Sequence, residues 1–279
     1  MNEIQEKILN VFNYLLSVLD KHGLKYVACG GTVLGAVRHK GFIPWDDDID
    51  IYMPRADYEI FLQLKDEVKK DGYDIVSEAD EGYYLPFAKI VDKGTSIWEY
   101  EENPYILGVY VDIFPLDEFD QKNGIAKKQA KYCKWFERYW NSLKQIPFVK
   151  IYNNLLRRDY NNVIIGLMSK LLSKKLAYKF FLSYKKKCIG QKGPWCVCLS
   201  TWTGKIFKTE WFEKAVEMPF ENIMIKVPRD YGDYLKLLYD DYMTLPPVEE
   251  RVSNHFRYFI DIHQRWTIED IRKLKKNGK

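Results

Sequence analysis

No apolar run in the 279-residue sequence reaches the ~18–20 residues that a membrane span requires. The first residues, Met1-Asn2-Glu3-Ile4-Gln5-Glu6, have neither the basic start nor the apolar centre of a secretory signal. Cysteine is scarce and unpaired. Cys29, Cys133, Cys188, Cys196 and Cys198 form an odd set at irregular spacing, which argues for free thiols in a reducing, cytoplasmic compartment. Cys196 and Cys198 lack the spacing and the nearby histidine of a zinc site and read as strand residues. There is no internal repeat and no low-complexity tract. Length and composition are those of a folded chain with one large domain or two small ones.

One stretch also lacks acid. From Gln121 to Lys192, eighteen Lys and Arg face only Glu137 and Asp159, so this stretch carries +16 in a chain of net charge +4. The remainder carries −12. A basic segment beside an acidic body suggests an anionic partner: a membrane surface, a phosphorylated lipid carrier or a nucleic acid. Nothing in the sequence resembles an RNA-binding module, which sets nucleic acid aside. Between Asn153 and Leu182, Ile164, Leu167, Leu171 and Leu172 alternate with Lys170, Lys174, Lys175 and Lys179. Two readings stay open: basic amphipathic helices lying on an anionic bilayer, or a helical subdomain packed on the core with a solvated basic face.

Hydrophobic spacing gives the organisation. Ile4, Ile8, Val11, Phe12, Leu15, Leu16 and Leu19 define a helix over Glu3–Asp20, stopped by His22-Gly23. Lys25–Cys29 reads as a strand, Gly30-Gly31-Thr32 as a turn, Val33–Arg38 as a short helix, and Gly41–Asp47 as a loop that Pro44 keeps from helix. Asp48–Met53 alternates polar and apolar like a half-buried strand, and Pro54 ends it. A helix is expected over Ala56–Lys70, then strands at Tyr73–Ser77, Leu85–Val91, Ser96–Tyr100 and Val109–Phe114. Gln121–Lys187 reads as several helices, and Gly190 and Gly193-Pro194 mark a boundary. Strands near Trp195–Ser200, Ala215–Pro219 and Ile223–Val227 and helices at Tyr231–Tyr239 and Thr267–Lys276 complete the chain. The expected division is a core over 1–120, a basic helical subdomain over 121–192, and a segment over 193–279 packing back on the core.

Chemistry concentrates between Gly30 and Ile51. On a strand, residues two apart face the same way. Asp48 and Asp50 would then lie ~7 Å apart on one face, close enough for their carboxylates to share a cation. Like charges held together need a counter-ion. Oxygen ligands favour Mg²⁺ or Mn²⁺, with substrate phosphates completing the shell. Asp46 to Asp48 alone would read as a solvated acidic loop. The alternation with Ile49 and Ile51 argues otherwise, because a buried strand is a poor place for unpaired charge.

The glycines add a phosphate site. A strand, then Gly30-Gly31-Thr32, then a helix presents free N–H groups at a helix N-terminus. Valine at Gly31 is expected to crowd a phosphate and to resist positive φ. Arg38 and His39, at the far end of that helix, could add positive charge, although a helix C-terminus favours basic side chains in any case. Lys89, on the strand Pro86–Ile90, is either a phosphate contact or a surface lysine.

Gly30-Gly31-Thr32, Gly35 and Arg38-His39-x-Gly41-Phe42-Ile43-Pro44-Trp45-Asp46-Asp47-Asp48-Ile49-Asp50 together resemble the signature of the LicD family, a branch of the nucleotidyltransferase superfamily. Two later pieces are similar to the family as well: Val111–Asp117, which supplies Asp112 as a third carboxylate, and Tyr239-Asp240-Asp241-Tyr242-Met243 with Pro246-Pro247. The basic stretch carries none of the motif. The resemblance implies an α+β fold: a nucleotidyltransferase-type mixed sheet flanked by helices, with the catalytic core in 1–120 and a basic helical insertion. It implies metal-dependent transfer of phosphocholine from CDP-choline, or of glycerol- or ribitol-phosphate from a CDP-alditol. The acceptor would be a sugar hydroxyl of teichoic acid, capsule or lipopolysaccharide.

On this resemblance Asp48, Asp50 and Asp112 hold Mg²⁺ or Mn²⁺, with Asp112 serving as third ligand or as base. Asp117 and Asp92 are next in line for its place. Gly30, Gly31, Thr32, Arg38, His39 and Lys89 surround the donor phosphates. The implied partners are a CDP-linked donor and a glycan acceptor on a lipid carrier at the inner membrane face. The rival is a non-catalytic nucleotide-binding member, and the retained aspartates count against it. A choline group would seek aromatic faces, for which Tyr83, Tyr84, Trp98, Tyr100 and Tyr110 are candidates, each equally at home in a core.

Overall fold

A computed structural model describes the chain except for residues 144–145, 172, 190–191, 202–203, 254 and 277–279. The readings that rest on Leu172 and Gly190 therefore lie outside the described residues.

Helix and strand alternate through the first third. Helix α1 (Glu3–Lys21) starts at a capping box in which the Asn2 side chain accepts from the Gln5 N–H and Gln5 reaches back to Asn2. Its Ile8, Phe12, Leu15 and Leu19 are buried along one face. Each contributes about 1.5–3 kcal/mol of burial. Then come β1 (Val27–Ala28), α2 (Gly30–His39), β2 (Asp50–Pro54), α3 (Arg55–Gln63), α4 (Lys65–Lys70), β3 (Tyr73–Val76), β4 (Ala88–Asp92), β5 (Ser96–Trp98) and β6 (Tyr110–Phe119). Four helices follow: α5 (Ile125–Leu143), α6 (Phe148–Leu156), α7 (Tyr160–Leu171) and α8 (Lys174–Cys188). The chain ends with β7 (Trp195–Val197), β8 (Phe207–Lys208), α9 (Glu210–Glu213), β9 (Val216–Phe220), β10 (Ile223–Val227), α10 (Tyr231–Tyr239), β11 (Phe259–Asp261) and α11 (Ile268–Lys276).

The main sheet runs β1-β2-β6-β4-β3, and β7 and β8 extend it from the far half of β6. It is mixed: β2 and β6 are parallel, and the other neighbours are antiparallel. Helix α1 packs on β6 and β4, and α3 on β2 and β6. The fold is thus α+β. The four helices α5–α8 lie between β6 and β7, which pair with each other from Asp117 to Phe119. C-terminal elements return to the N-terminal ones: α10 meets α2, and β11 pairs with β5.

Several expectations shift for physical reasons. Gly30-Gly31-Thr32 is the first turn of α2 rather than a separate turn. The strand expected from Asp48 begins at Asp50, although the Ile49 carbonyl already accepts from the Asp112 N–H at 2.9 Å. The helix expected over Ala56–Lys70 breaks at Leu64. The strand expected from Leu85 begins only at Ala88, past Pro86, which has no N–H to give a ladder. The strand from Tyr73 stops at Val76 because the Ser77 N–H turns to the Asp80 carboxylate. The strand expected over Trp195–Ser200 ends at Val197. Cys29, Cys133, Cys196 and Cys198 are free and buried. No helix among the described residues is long and apolar enough to cross a membrane.

Candidate metal and phosphate site

The parallel pairing of β2 with β6 sets Asp50 opposite Asp112, and the antiparallel pairing of β6 with β4 sets Lys89 opposite Asp112. Three chemically matched side chains therefore line up across three neighbouring strands. Asp48 joins them from the extended chain just before β2. One oxygen from each of Asp48, Asp50 and Asp112 lies within 4.8 Å of the others. Convergence comes from strand order rather than from two aspartates alternating along a single strand.

The electrostatics of this cluster are unfavourable as it stands. Asp50 Oδ1 is buried and has no hydrogen-bond partner. Burial, then the charges of Asp48 and Asp112, push the Asp50 carboxyl well above the usual range. Burial raises Asp112 to about 6 despite Lys89, whose Nζ lies 2.5 Å from Asp112 Oδ1. Burial and the neighbouring Asp48 raise Asp46 to about 7. An orphaned oxygen among three converging carboxylates is what a divalent cation would satisfy, and an all-oxygen donor set suits Mg²⁺ or Mn²⁺.

The surroundings differ in part from the sequence expectation. Lys89 is not a surface lysine. It is buried, it pairs with Asp112, and its ammonium sits 3.4 Å from the centre of the Tyr110 ring. The N–H groups of the glycine turn are largely engaged. Gly30 donates to the Tyr234 hydroxyl at 2.9 Å, while Thr32 and Val33 donate to the Cys29 carbonyl. Thr32 Oγ1 accepts from the Asp50 N–H at 2.8 Å, so it positions an aspartate. Positive φ falls on Gly30 (+54°) and not on Gly31. Gly31 is constrained by space instead: a Cβ there would stand 2.8 Å from Asp46 Oδ2.

Arg38 donates through Nη1 to the Tyr242 carbonyl at 2.8 Å and through Nε to His39 at 3.0 Å, which ties α2 to the chain after α10. Burial, then Arg38, lowers the His39 pKa and so favours the neutral imidazole. Asp117 is committed elsewhere, gripped by Arg55 at 2.9 and 2.7 Å. Asp92 accepts from the Gly94 N–H within its own turn. Of the aromatic candidates, Tyr83, Tyr84, Trp98 and Tyr110 are fully buried, while Tyr100 is exposed and stacks on Phe256.

Two contributors were not foreseen. His255 Nδ1 lies 2.7 Å from Asp47 Oδ1, and its Nε2 lies 3.4 Å from Asp48 Oδ2. Arg257 Nη2 reaches Asp47 Oδ2 at 2.7 Å. Burial pushes Asp47 up, but the bonds from His255 and Arg257 outweigh it and leave the carboxyl below its ordinary value. Asp47 in turn raises His255 to about 9, so the imidazole is cationic at neutral pH. These residues lie more than two hundred positions from their partners, and no local pattern announces such a pairing. Gln5 is a quieter case. From the first turn of α1 its Nε2 donates to the Asp46 carbonyl at 2.8 Å and so holds the acidic loop.

A mixed sheet that carries three converging carboxylates beside a glycine-started helix defines the class to which comparison with known proteins also leads. The family model "LicD/FKTN/FKRP, nucleotidyltransferase domain" matches residues 23–155. The lipopolysaccharide cholinephosphotransferase LicD of Haemophilus influenzae is 28% identical over 92% of this chain and 96% of its own length. The ribitol 5-phosphate transferases FKRP of mouse and human are 32% and 31% identical over 140 residues, 48% of this chain and 26% of theirs. Residues 23–155 thus match the LicD family domain, and the relatives that share it are transferases of substituted phosphate groups.

Proposed function

We propose that the protein transfers phosphocholine from CDP-choline to a sugar hydroxyl of a cell-surface glycan, with Mg²⁺ or Mn²⁺ held by Asp48, Asp50 and Asp112 on a nucleotidyltransferase-type core. The observation that carries this reading is the in-register pair Asp50–Asp112 with Asp48 beside it and Asp50 Oδ1 left unpartnered. When bound, the cation would offset charge on the donor phosphates and on the departing CMP.

The protein's own part is positioning. The acceptor hydroxyl attacks the phosphorus that bears choline. A P–O bond to the sugar forms as the P–O bond to CMP breaks, and the hydroxyl proton passes to a carboxylate. Lys89 opposes the effect of burial on Asp112 and favours its charged form, which suits a ligand role. Asp46, held near neutrality and next to Asp48, is the better proton acceptor. His255 and Arg257 fix Asp47 and so the loop that presents Asp46 and Asp48.

Likeness over nearly the whole chain to a cholinephosphotransferase favours choline as the transferred group. The FKRP match supports a second reading, ribitol- or glycerol-phosphate from a CDP-alditol. Thermal unfolding with CDP-choline, CDP-ribitol and CDP-glycerol, with Mg²⁺ and with EDTA, tests both. A donor at ~100 times its dissociation constant stabilises by ~2.7 kcal/mol. CDP-choline is expected to stabilise only with metal. Stabilisation by an alditol donor alone moves the assignment to the second reading, and none by any CDP donor overturns both.

A further inference from the structure

Helices α6 and α7 form a hairpin whose apolar residues face the wrong way for a core. The two helices meet where Gly166 lies under Ile151; a Cβ at Gly166 would come within 2.5 Å of that side chain. Turned away from this contact are Phe148, Val149, Tyr152 and Leu156 on α6 and Tyr160 and Ile164 on α7, all exposed, with Phe148 at 72% and Leu156 at 65%. At 100° per residue the α6 set spans about 100° of the helix surface. That is the apolar stripe of an amphipathic helix, presented outward. By contrast α8 turns Ala177 and Phe181 inward, and Phe181 packs on Tyr132 and Phe136 of α5.

The stripe has a basic rim. Lys170 sits 5.1 Å from the Phe148 ring, Arg157 and Arg158 stand exposed at the hairpin turn, and the surrounding stretch carries +16. We propose that the α6–α7 hairpin is the surface by which this protein docks on an anionic lipid bilayer. Apolar side chains enter the headgroup boundary while the basic rim meets acidic headgroups. A soluble polyanion would use the charge and leave the stripe in water. A second copy of the chain would set one strongly basic surface against another. The hairpin is also tied to the candidate site. Lys150 pairs with Glu102, and a cavity of about 420 Å³ lies between the hairpin and Tyr100, which stacks on Phe256 next to His255. The inference does not rest on the transfer chemistry.

Sedimentation of the full chain with phosphatidylcholine vesicles, with and without phosphatidylglycerol, tests it. Binding is expected only to the phosphatidylglycerol vesicles and should fall as salt rises. Phe148→Ser with Leu156→Ser, and separately Arg157→Glu with Arg158→Glu, should each weaken binding about tenfold or more without altering thermal unfolding. Equal binding to neutral vesicles, no binding, or full binding by both variants overturns the proposal. So does self-association that the Phe148/Leu156 variant abolishes.

Discussion

Around β2 and β6, charge is buried: Asp50 keeps an oxygen with no partner, and Asp112 and Lys89 pair inside the sheet. Along α6 and α7, apolar surface is exposed: Phe148, Val149 and Leu156 stand in solvent, with Lys170 over the Phe148 ring. Both regions break the usual rule of polarity, in opposite directions. Each break costs folding free energy, so each is best explained by something that relieves it. For the carboxylates that is a small cation; for the hairpin it is a large apolar and anionic surface. A cation needs a fixed cage, and sheet register provides one. A bilayer needs only an outward stripe on a projecting element.

If the two regions are independent devices, damage to one should leave the other intact. Asp50→Asn keeps shape and removes charge, so transfer should fall about 10⁴-fold, the loss of several kcal/mol of charge stabilisation, while vesicle binding and fold stay unchanged. Near-normal turnover in this variant would remove Asp50 from the metal site. Within the site, Asp46→Asn should slow single-turnover transfer with donor affinity kept, whereas Asp112→Asn should weaken both, with added metal restoring part of the binding. The reverse pattern would exchange the base and ligand roles.

A second test asks how far the buried charge depends on its partner. Lys89→Met leaves Asp112 facing Asp48 and Asp50 with no cation beside it, and removing one member of a buried pair costs about 3 kcal/mol. Denaturant unfolding in EDTA should show that loss, and Mg²⁺ should recover much of it. A variant as stable as the parent in EDTA would mean that the carboxylates relax into solvent.

A third, smaller effect follows from proton binding. Asp46 and Asp112, held near 7 and 6, keep protons in the folded protein that the unfolded chain has released above pH ~4. Their contribution to stability is fully present below that pH and is lost as pH rises through 6 and 7. His255, held near 9, adds a loss of the same sign between pH ~6.5 and 9. Calorimetry in EDTA should therefore show the melting temperature falling from pH 5 to pH 9. Mg²⁺ should reduce the fall above pH 6, where it takes the place of the protons. A flat profile in EDTA would contradict the raised carboxyls.

The comparison also shows what a sequence can disclose. The Asp48/Asp50 spacing and the alternation around Asp112 were legible because each is local. Their meeting at one point was legible only through the family resemblance, since strand order is not written in any one segment. Lys89 was placed on the right strand, but its pairing with Asp112 was not legible, because that depends on which strand lies beside it. His255 and Arg257 left no trace, for they arrive from the far end of the chain. In the basic stretch, charge and periodicity were plain. Which helices pack and which face outward was not, because what a helix touches is set by its neighbours and not by its own residues.

The smallest expected effects separate the two glycines at the start of α2, which the sequence treats as one feature. Gly30 has φ of +54°, and a Cβ there would meet Asp50 Oδ2 at 3.3 Å. Gly30→Ala should therefore cost about 1–2 kcal/mol from backbone conformation alone. Gly31 has no such conformation to hold, so Gly31→Ala should change stability by less than about 1 kcal/mol, with better helix propensity offsetting the crowding. Its added methyl must instead displace the Asp46 carboxylate, 2.8 Å away. If Asp46 takes the acceptor proton, this variant should lose transfer rate while unfolding almost as the parent does. Denaturant unfolding and single-turnover transfer measured on both variants distinguish the cases. Equal stability loss in the two would mean that the glycines serve the same backbone need. An unchanged rate in Gly31→Ala would mean that Asp46 can move aside without consequence and is not the base.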